Sequence, residues 1–192
     1  MSFSATRFRA ALLCATLATL APAAMAAEPT VIYTATGTFG SVISGGDLLE
    51  LAGQPFSISV PANEALKPTR QNDMSAEYTG LTVSGTSNTG LLPGTMYPVT
   101  SNKVNIELRV GGPGTPDQFK IGYPLSVVGS TVRVTAEVEM PPGTITATAI
   151  QPFTAPVTFN LINVRVKYTA KASGESAVLG IANGTLTATL QQ

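Results

Sequence analysis

Between residues 131 and 140 apolar and polar side chains alternate without a fault. Val132, Val134, Ala136, Val138 and Met140 lie on one side, and Thr131, Arg133, Thr135, Glu137 and Glu139 on the other. A repeat of two is the period of a half-buried β-strand and does not fit the 3.6-residue repeat of a helix. Related alternation recurs along the chain and predicts strands near 30–39, 55–60, 77–86, 103–110, 118–125, 131–140, 144–150, 157–161, 163–170, 177–181 and 185–190. β-Branched residues dominate these stretches, and Gly, Pro, Asn, Ser and Asp separate them. Helical periodicity is missing, so the crossover helices of a parallel α/β sheet are not expected. The expected fold is all-β: an antiparallel β-sandwich, Greek-key or jelly-roll like, of 10–11 short strands with little or no helix. Its apolar faces should include Val104, Ile106, Leu108, Val132, Val134, Val138, Val164, Val166, Leu186 and Leu190.

Several connections can be anticipated. Asn183-Gly184 separates two strand-like runs, and both residues tolerate the positive φ of a tight hairpin. Met140-Pro141-Pro142-Gly143-Thr144 should turn the chain. Residues 47–51 suit either one helical turn or a short strand. The most polar stretch, 61–77, is long for a connection and is a candidate functional loop, with a short helical piece near 62–66.

The N-terminus points to export. Arg7 and Arg9 precede a short apolar run, residues 11–23, and Ala24-Met25-Ala26 is a small-x-small cleavage signal. That is the layout of a secretory signal peptide over residues 1–26, leaving 27–192 as a single β domain. The run is short of the ~20 apolar residues that a spanning helix needs. Cys14, the one cysteine, lies inside the run behind Leu13, unlike a lipid-attachment site, which follows a small residue. The expected location is therefore secreted: periplasm, cell surface or medium. No transmembrane segment is expected after cleavage. An outer-membrane barrel fits less well, because the strands are uneven and the aromatics form no two girdles.

Composition narrows the chemistry. After cleavage no cysteine remains, which removes disulfides and thiol nucleophiles. Histidine is absent from the whole sequence, which removes His-based triads and His-ligated zinc, copper or iron. The cleaved chain has nine basic residues (eleven less Arg7 and Arg9) against eleven acidic. That balance gives no electrostatic reason to expect a nucleic acid as partner. No cofactor is expected. The partner is left open, with a polysaccharide or an envelope protein as the classes considered.

Glu137 and Glu139 are the candidate catalytic pair. Residues i and i+2 of a strand share a face and lie ~6.6 Å apart along it, within the range that glycosidase carboxylate pairs use. The arrangement resembles the acidic strand of jelly-roll glycoside hydrolases of the laminarinase kind. That resemblance implies a carbohydrate-active hydrolase using Glu137 and Glu139. The third acid of that family's strand is missing here, where Met140-Pro141-Pro142 follows, and the chain has no tryptophan to line a cleft. The other account is a solvated, charge-paired face. Lys103, Glu107, Arg109, Arg133, Arg165 and Lys167 lie on the polar sides of neighbouring candidates, and cations beside a carboxylate favour its ionised form. A general acid needs the reverse. The expectation is therefore no enzyme.

Other candidates are few. Asp47 with Glu50, and Asn72-Asp73, are the local candidates for a calcium site, and neither resembles an EF-hand loop. Gly111–Pro116, Gly-Gly-Pro-Gly-Thr-Pro, lacks the amide donors and following helix of a phosphate loop, and Asp117 behind it suits a turn. Tyr97, in a Gly/Pro-rich loop, is the candidate for stacking on a sugar. The function expected is binding, adhesion or structure at or beyond the cell envelope. A self-assembling surface subunit is the further alternative, since Thr-rich, weakly charged edge strands favour strand addition.

Overall fold

The computed structural model describes residues 29–88, 96–99, 101–127, 130–159, 164–170 and 174–191. Residues 1–28, with Cys14 and the segment expected to be a signal peptide, lie outside them. Among the described residues there are eleven strands: β1 (Thr30–Gly45), β2 (Pro55–Asn63), β3 (Arg70–Gln71), β4 (Ser75–Asn88), β5 (Met96–Pro98), β6 (Ser101–Arg109), β7 (Asp117–Val127), β8 (Ser130–Met140), β9 (Val157–Phe159), β10 (Val164–Ala170) and β11 (Ser176–Gln191). Every pairing is antiparallel, as the alternation predicts.

The connections are simpler than a Greek key. The long strands pair in chain order, β1-β2-β4-β6-β7-β8-β10-β11, and β11 pairs back onto β1. The hydrogen-bonded path is thus a closed circuit. The short strands β3 and β5 attach to β4, and β9 attaches to β11. Closure leaves the long strands few bare edges, which limits unwanted pairing.

Alternation sends one side of each strand into a common interior. Val31, Tyr33 and Phe39 of β1, Ile58 and Val60 of β2, and Val104, Ile106 and Leu108 of β6 are buried there. So are Phe119, Ile121 and Tyr123 of β7 and Val132, Val134 and Val138 of β8. Two walls meet across this core: the Tyr33 ring on β1 stacks on Phe119 of β7 with centroids 5.2 Å apart. Such ring pairs add about 1 kcal/mol beyond their buried area. The expected core positions Val164 and Val166 lie on β10, their side chains outside the description, and Leu190 is exposed instead of buried.

One end of the circuit is closed by residues 141–156. Thr144 turns back on Pro141, its Oγ1 donating to the Pro141 carbonyl at 2.7 Å, as the Pro-Pro-Gly signal predicts. The strand expected at 144–150 does not form. The Ile145 amide goes to the Asp117 carboxylate (2.8 Å) and the Thr146 amide to Gln151 Oε1 (3.1 Å), so neither enters a ladder. Ile145, Ile150 and Phe153 instead turn inward as a plug.

Asn183-Gly184 is a second correction. It makes no hairpin, and the two strands expected around it are one strand, β11. Gly184 pairs with Gly37 and Asn183 with Thr38, and the register slips immediately beyond, at Phe39↔Ile181. The slip exchanges the inward set: Ala177, Leu179 and Ile181 before it, Leu186 and Ala188 after it. The glycine serves close strand approach at a bulge and not a tight turn; a Cβ on Gly37 would lie 3.0 Å from the Gly184 Cα.

The 61–77 stretch is an ordered excursion. It carries the end of β2, a turn in which Asn63 Oδ1 accepts the Ala65 amide at 2.7 Å, and then β3. A turn therefore replaces the helical piece expected near 62–66. Residues 47–51 form a turn, neither helix nor strand, and Glu50 there has φ 48°.

Candidate functional site

Among the described residues the interior is packed with apolar side chains. Its cavity measures about 30 Å³ and is lined by apolar residues such as Ala35, Phe39, Ile58, Phe119, Ala136 and Leu186. Small-molecule pockets are ~300 Å³ or larger. Chemistry available to a partner therefore sits on the outside, where the strands divide into two halves.

One half is charged. In register across it run Arg70, Glu77, Glu107, Lys120, Glu137 and Arg165, one on each of β3, β4, β6, β7, β8 and β10. Lys120 thus sits between two carboxylates, and Glu137 between Lys120 and the Arg165 position. The next row holds Arg109, Gln118 and Glu139, with Arg109 Nη1 donating to Gln118 Oε1 at 3.4 Å. Glu137 and Glu139 are both exposed on the outer face of β8. Cationic positions flank Glu137, Lys120 on β7 and Arg165 on β10, but β7 separates β8 from β6, so Lys103 and Arg109 are not its cross-strand neighbours, and Glu139 faces Gln118. The open depressions nearby, of about 510 and 310 Å³, are lined by Asn72, Ser75 and Glu107, with Arg109 in one and Arg70 and Glu77 in the other. Neither Glu137 nor Glu139 lines them. Asn105 links strands here, its Nδ2 donating to Glu77 Oε1 at 3.4 Å while its Oδ1 accepts from Arg133 Nη2.

The other half is neutral. Strands β1, β2, β9 and β11 contain no Asp, Glu, Lys or Arg. Their outward positions are mostly Thr and Ser. One cross-strand row is Ser84, Ser59, Thr34 and Thr187, and the next is Thr86, Ser57, Thr36, Thr185 and Thr158. Thr34 Oγ1 and Ser59 Oγ lie 3.0 Å apart and share a hydrogen bond. A depression of about 450 Å³, lined by Thr36, Thr158, Asn183 and Thr185, ends the second row. No local pattern in the sequence marks this face, because it emerges only when β1, β2 and β11 are placed side by side. The signal was present as four strand-like runs without a charge, 30–39, 55–60, 177–181 and 185–190.

The remaining candidates fall apart from one another. Asp47 caps its own turn, its carboxylate oxygens accepting the Leu51 and Ala52 amides at 3.1 and 2.9 Å. Asp73 lies in the tight turn between β3 and β4, where Asn72 Oδ1 accepts the Met74 and Ser75 amides at 2.9 and 2.8 Å. Strand order puts the Asp47–Glu50 turn and the Asp73 turn at opposite ends of the circuit. Among the described residues no three carboxylates converge. Tyr97 is on β5 opposite Ser87 and packs against the core, with its hydroxyl buried. Gly111–Pro116 links β6 to β7, and its Gly111 amide donates to Asp117 Oδ1 at 2.6 Å. Asp117, expected as a turn residue, is the first residue of β7 and wholly buried, where its carboxylate accepts backbone amides.

Fold and surface together define an antiparallel all-β protein with a filled interior and polar outer faces. Among the described residues no helix is long and apolar enough to cross a membrane. Comparison with protein-family models, curated proteins and solved structures finds no match.

Proposed function

We propose that the chain is an exported, non-enzymatic β domain acting at or beyond the cell envelope in binding, adhesion or matrix structure. The observation that carries this reading is the packed interior: among the described residues its cavity is about 30 Å³ and apolar, and the polar side chains that could meet a partner face outward. Export rests on the sequence layout of residues 1–26. The exposed, cation-flanked position of Glu137 supports binding over catalysis, since glycosidase acids work in clefts where their pKa is raised.

The test incubates the protein, purified after export, with insoluble polysaccharides and assays bound protein and released reducing ends in the same tubes. The reading expects retention without release. Release that disappears in Glu137→Gln or Glu139→Gln would overturn it and restore the hydrolase.

A further inference from the structure

We propose that the neutral half of the surface, the outward face of β2, β1, β11 and β9, is a docking face for an uncharged, hydroxyl-rich polysaccharide. The inference rests on the binding role proposed above and assigns it a surface and a ligand class.

Three features carry it. The first is charge segregation. Every charged residue of the strands lies on β3, β4, β6, β7, β8 or β10, and β1, β2, β9 and β11 have none. An anionic polymer would find no cation to pair with on this face, and a cationic one no carboxylate. A neutral partner is the complement that a neutral face selects.

The second is the density of hydroxyls. On these strands the rows through Thr34 and Thr36 present three and four hydroxyl side chains, and Ser84 and Thr86 of β4 extend them by one each. Strand geometry spaces them at ~4.8 Å across the strands and ~6.6 Å along them. Each hydroxyl both donates and accepts. Covering this grid with an apolar partner would strand those groups unpaired. A chain of sugar rings offers donors and acceptors at comparable density along an extended polymer.

The third is shape. The depression of about 450 Å³ at the end of the Thr36–Thr185–Thr158 row opens onto the same face. It gives a polymer lying along the row one place to seat a ring. Individual hydroxyl contacts contribute little net affinity, because each replaces a bond to water. The face therefore holds polymers through many contacts and releases single sugars.

The experiment uses the exported protein on cellulose, chitin and insoluble β-1,3-glucan as neutral surfaces, with alginate beads as the anionic control. Bound protein is compared for wild type, Thr36→Lys with Thr185→Lys, the shape-conserving Thr36→Val with Thr185→Val, and Glu137→Gln on the opposite half. Thermal midpoints establish that each variant is folded. The expected result is at least tenfold greater retention on one neutral polymer than on alginate, lost tenfold or more in both threonine pairs and kept in Glu137→Gln. Free glucose or N-acetylglucosamine should not elute it. Absence of retention on all three neutral surfaces overturns the proposal. So does retention that the threonine variants leave unchanged, which would move binding elsewhere and leave the binding role standing. A wild-type dimer in sedimentation velocity that Thr185→Lys dissolves also overturns it, because the face would then belong to a second copy of the chain. Released reducing ends would instead contradict the non-enzymatic reading.

Discussion

The carboxylate of Asp117 on β7 accepts the backbone amide of Ile145, 28 residues further along the chain, at 2.8 Å. Its other oxygen accepts the Gly111 amide at 2.6 Å. One wholly buried side chain thus joins the β6–β7 connection to the plug that closes one end of the circuit. Asp117→Ala should leave two amides without their acceptor and lower stability by about 3 kcal/mol. Asp117→Asn should cost nearly as much, because its amide group would turn a donor toward a donor. Urea denaturation checks both, and a loss below about 1 kcal/mol would contradict the role.

Tyr33 binds the plug from the opposite wall. Its hydroxyl donates to the Gln151 carbonyl at 3.1 Å and accepts the Gln151 amide at 3.2 Å. Phe153 packs edge-on against Tyr33, with centroids 5.8 Å apart. Tyr33→Phe should cost about 1–2 kcal/mol through the two lost hydrogen bonds. Phe153→Ala should cost about 3–4 kcal/mol through the cavity it leaves. Because the plug spans both contacts, the double variant should depart from additivity in a denaturation cycle.

Burial pushes the hydroxyl pKa of Tyr33 and Tyr123 well above the ordinary tyrosine value; for Tyr33 the Gln151 hydrogen bond opposes the shift only in part. In the unfolded chain both titrate near ~10. The folded state therefore holds its protons where the unfolded state gives them up. Stability is full below about pH 10 and falls as pH rises above it toward the folded values. Denaturation at successive pH values should show a plateau followed by this decline, and Tyr123→Phe should make the decline shallower. Phenolate absorbance should show these two groups ionising only as the protein unfolds.

Lys120 stands between Glu107 and Glu137 in the charged row. Lys120→Glu would line up Glu77, Glu107, position 120 and Glu137 as four adjacent carboxylates. It should destabilise the fold by about 1 kcal/mol at low salt, with the loss shrinking as salt screens the row. Thermal midpoints at two ionic strengths measure this, and a salt-independent loss would show that packing and not charge was responsible.

Much of the fold is legible in the alternation alone. The strand at 131–140 reappears almost unchanged as β8, and those at 118–125 and 103–110 as β7 and β6, because a single buried face imposes a strict period of two. Two failures have local causes. Residues 144–150 alternate like a strand, but side-chain acceptors on Asp117 and Gln151 take their amides. Asn183-Gly184 has hairpin chemistry, yet it faces Gly37 and Thr38 across a ladder that continues on both sides. Gly37→Ala should show the cost of this approach, about 1–3 kcal/mol, since its Cβ would also meet the Phe56 ring at 3.1 Å. The candidate site was half legible. The charged positions, Glu137 among them, could be read off β6, β8 and β10, but the neutral face needed the β11–β1–β2 neighbourhood that no local pattern encodes.

The most direct measurement is co-sedimentation of the purified protein with insoluble neutral polysaccharide, with reducing ends assayed in the supernatant. The account predicts protein in the pellet, no release of sugar, and loss of binding when Thr36 and Thr185 are both changed to Lys. Protein left in the supernatant with every neutral polymer, or sugar released in a Glu137-dependent manner, would contradict it.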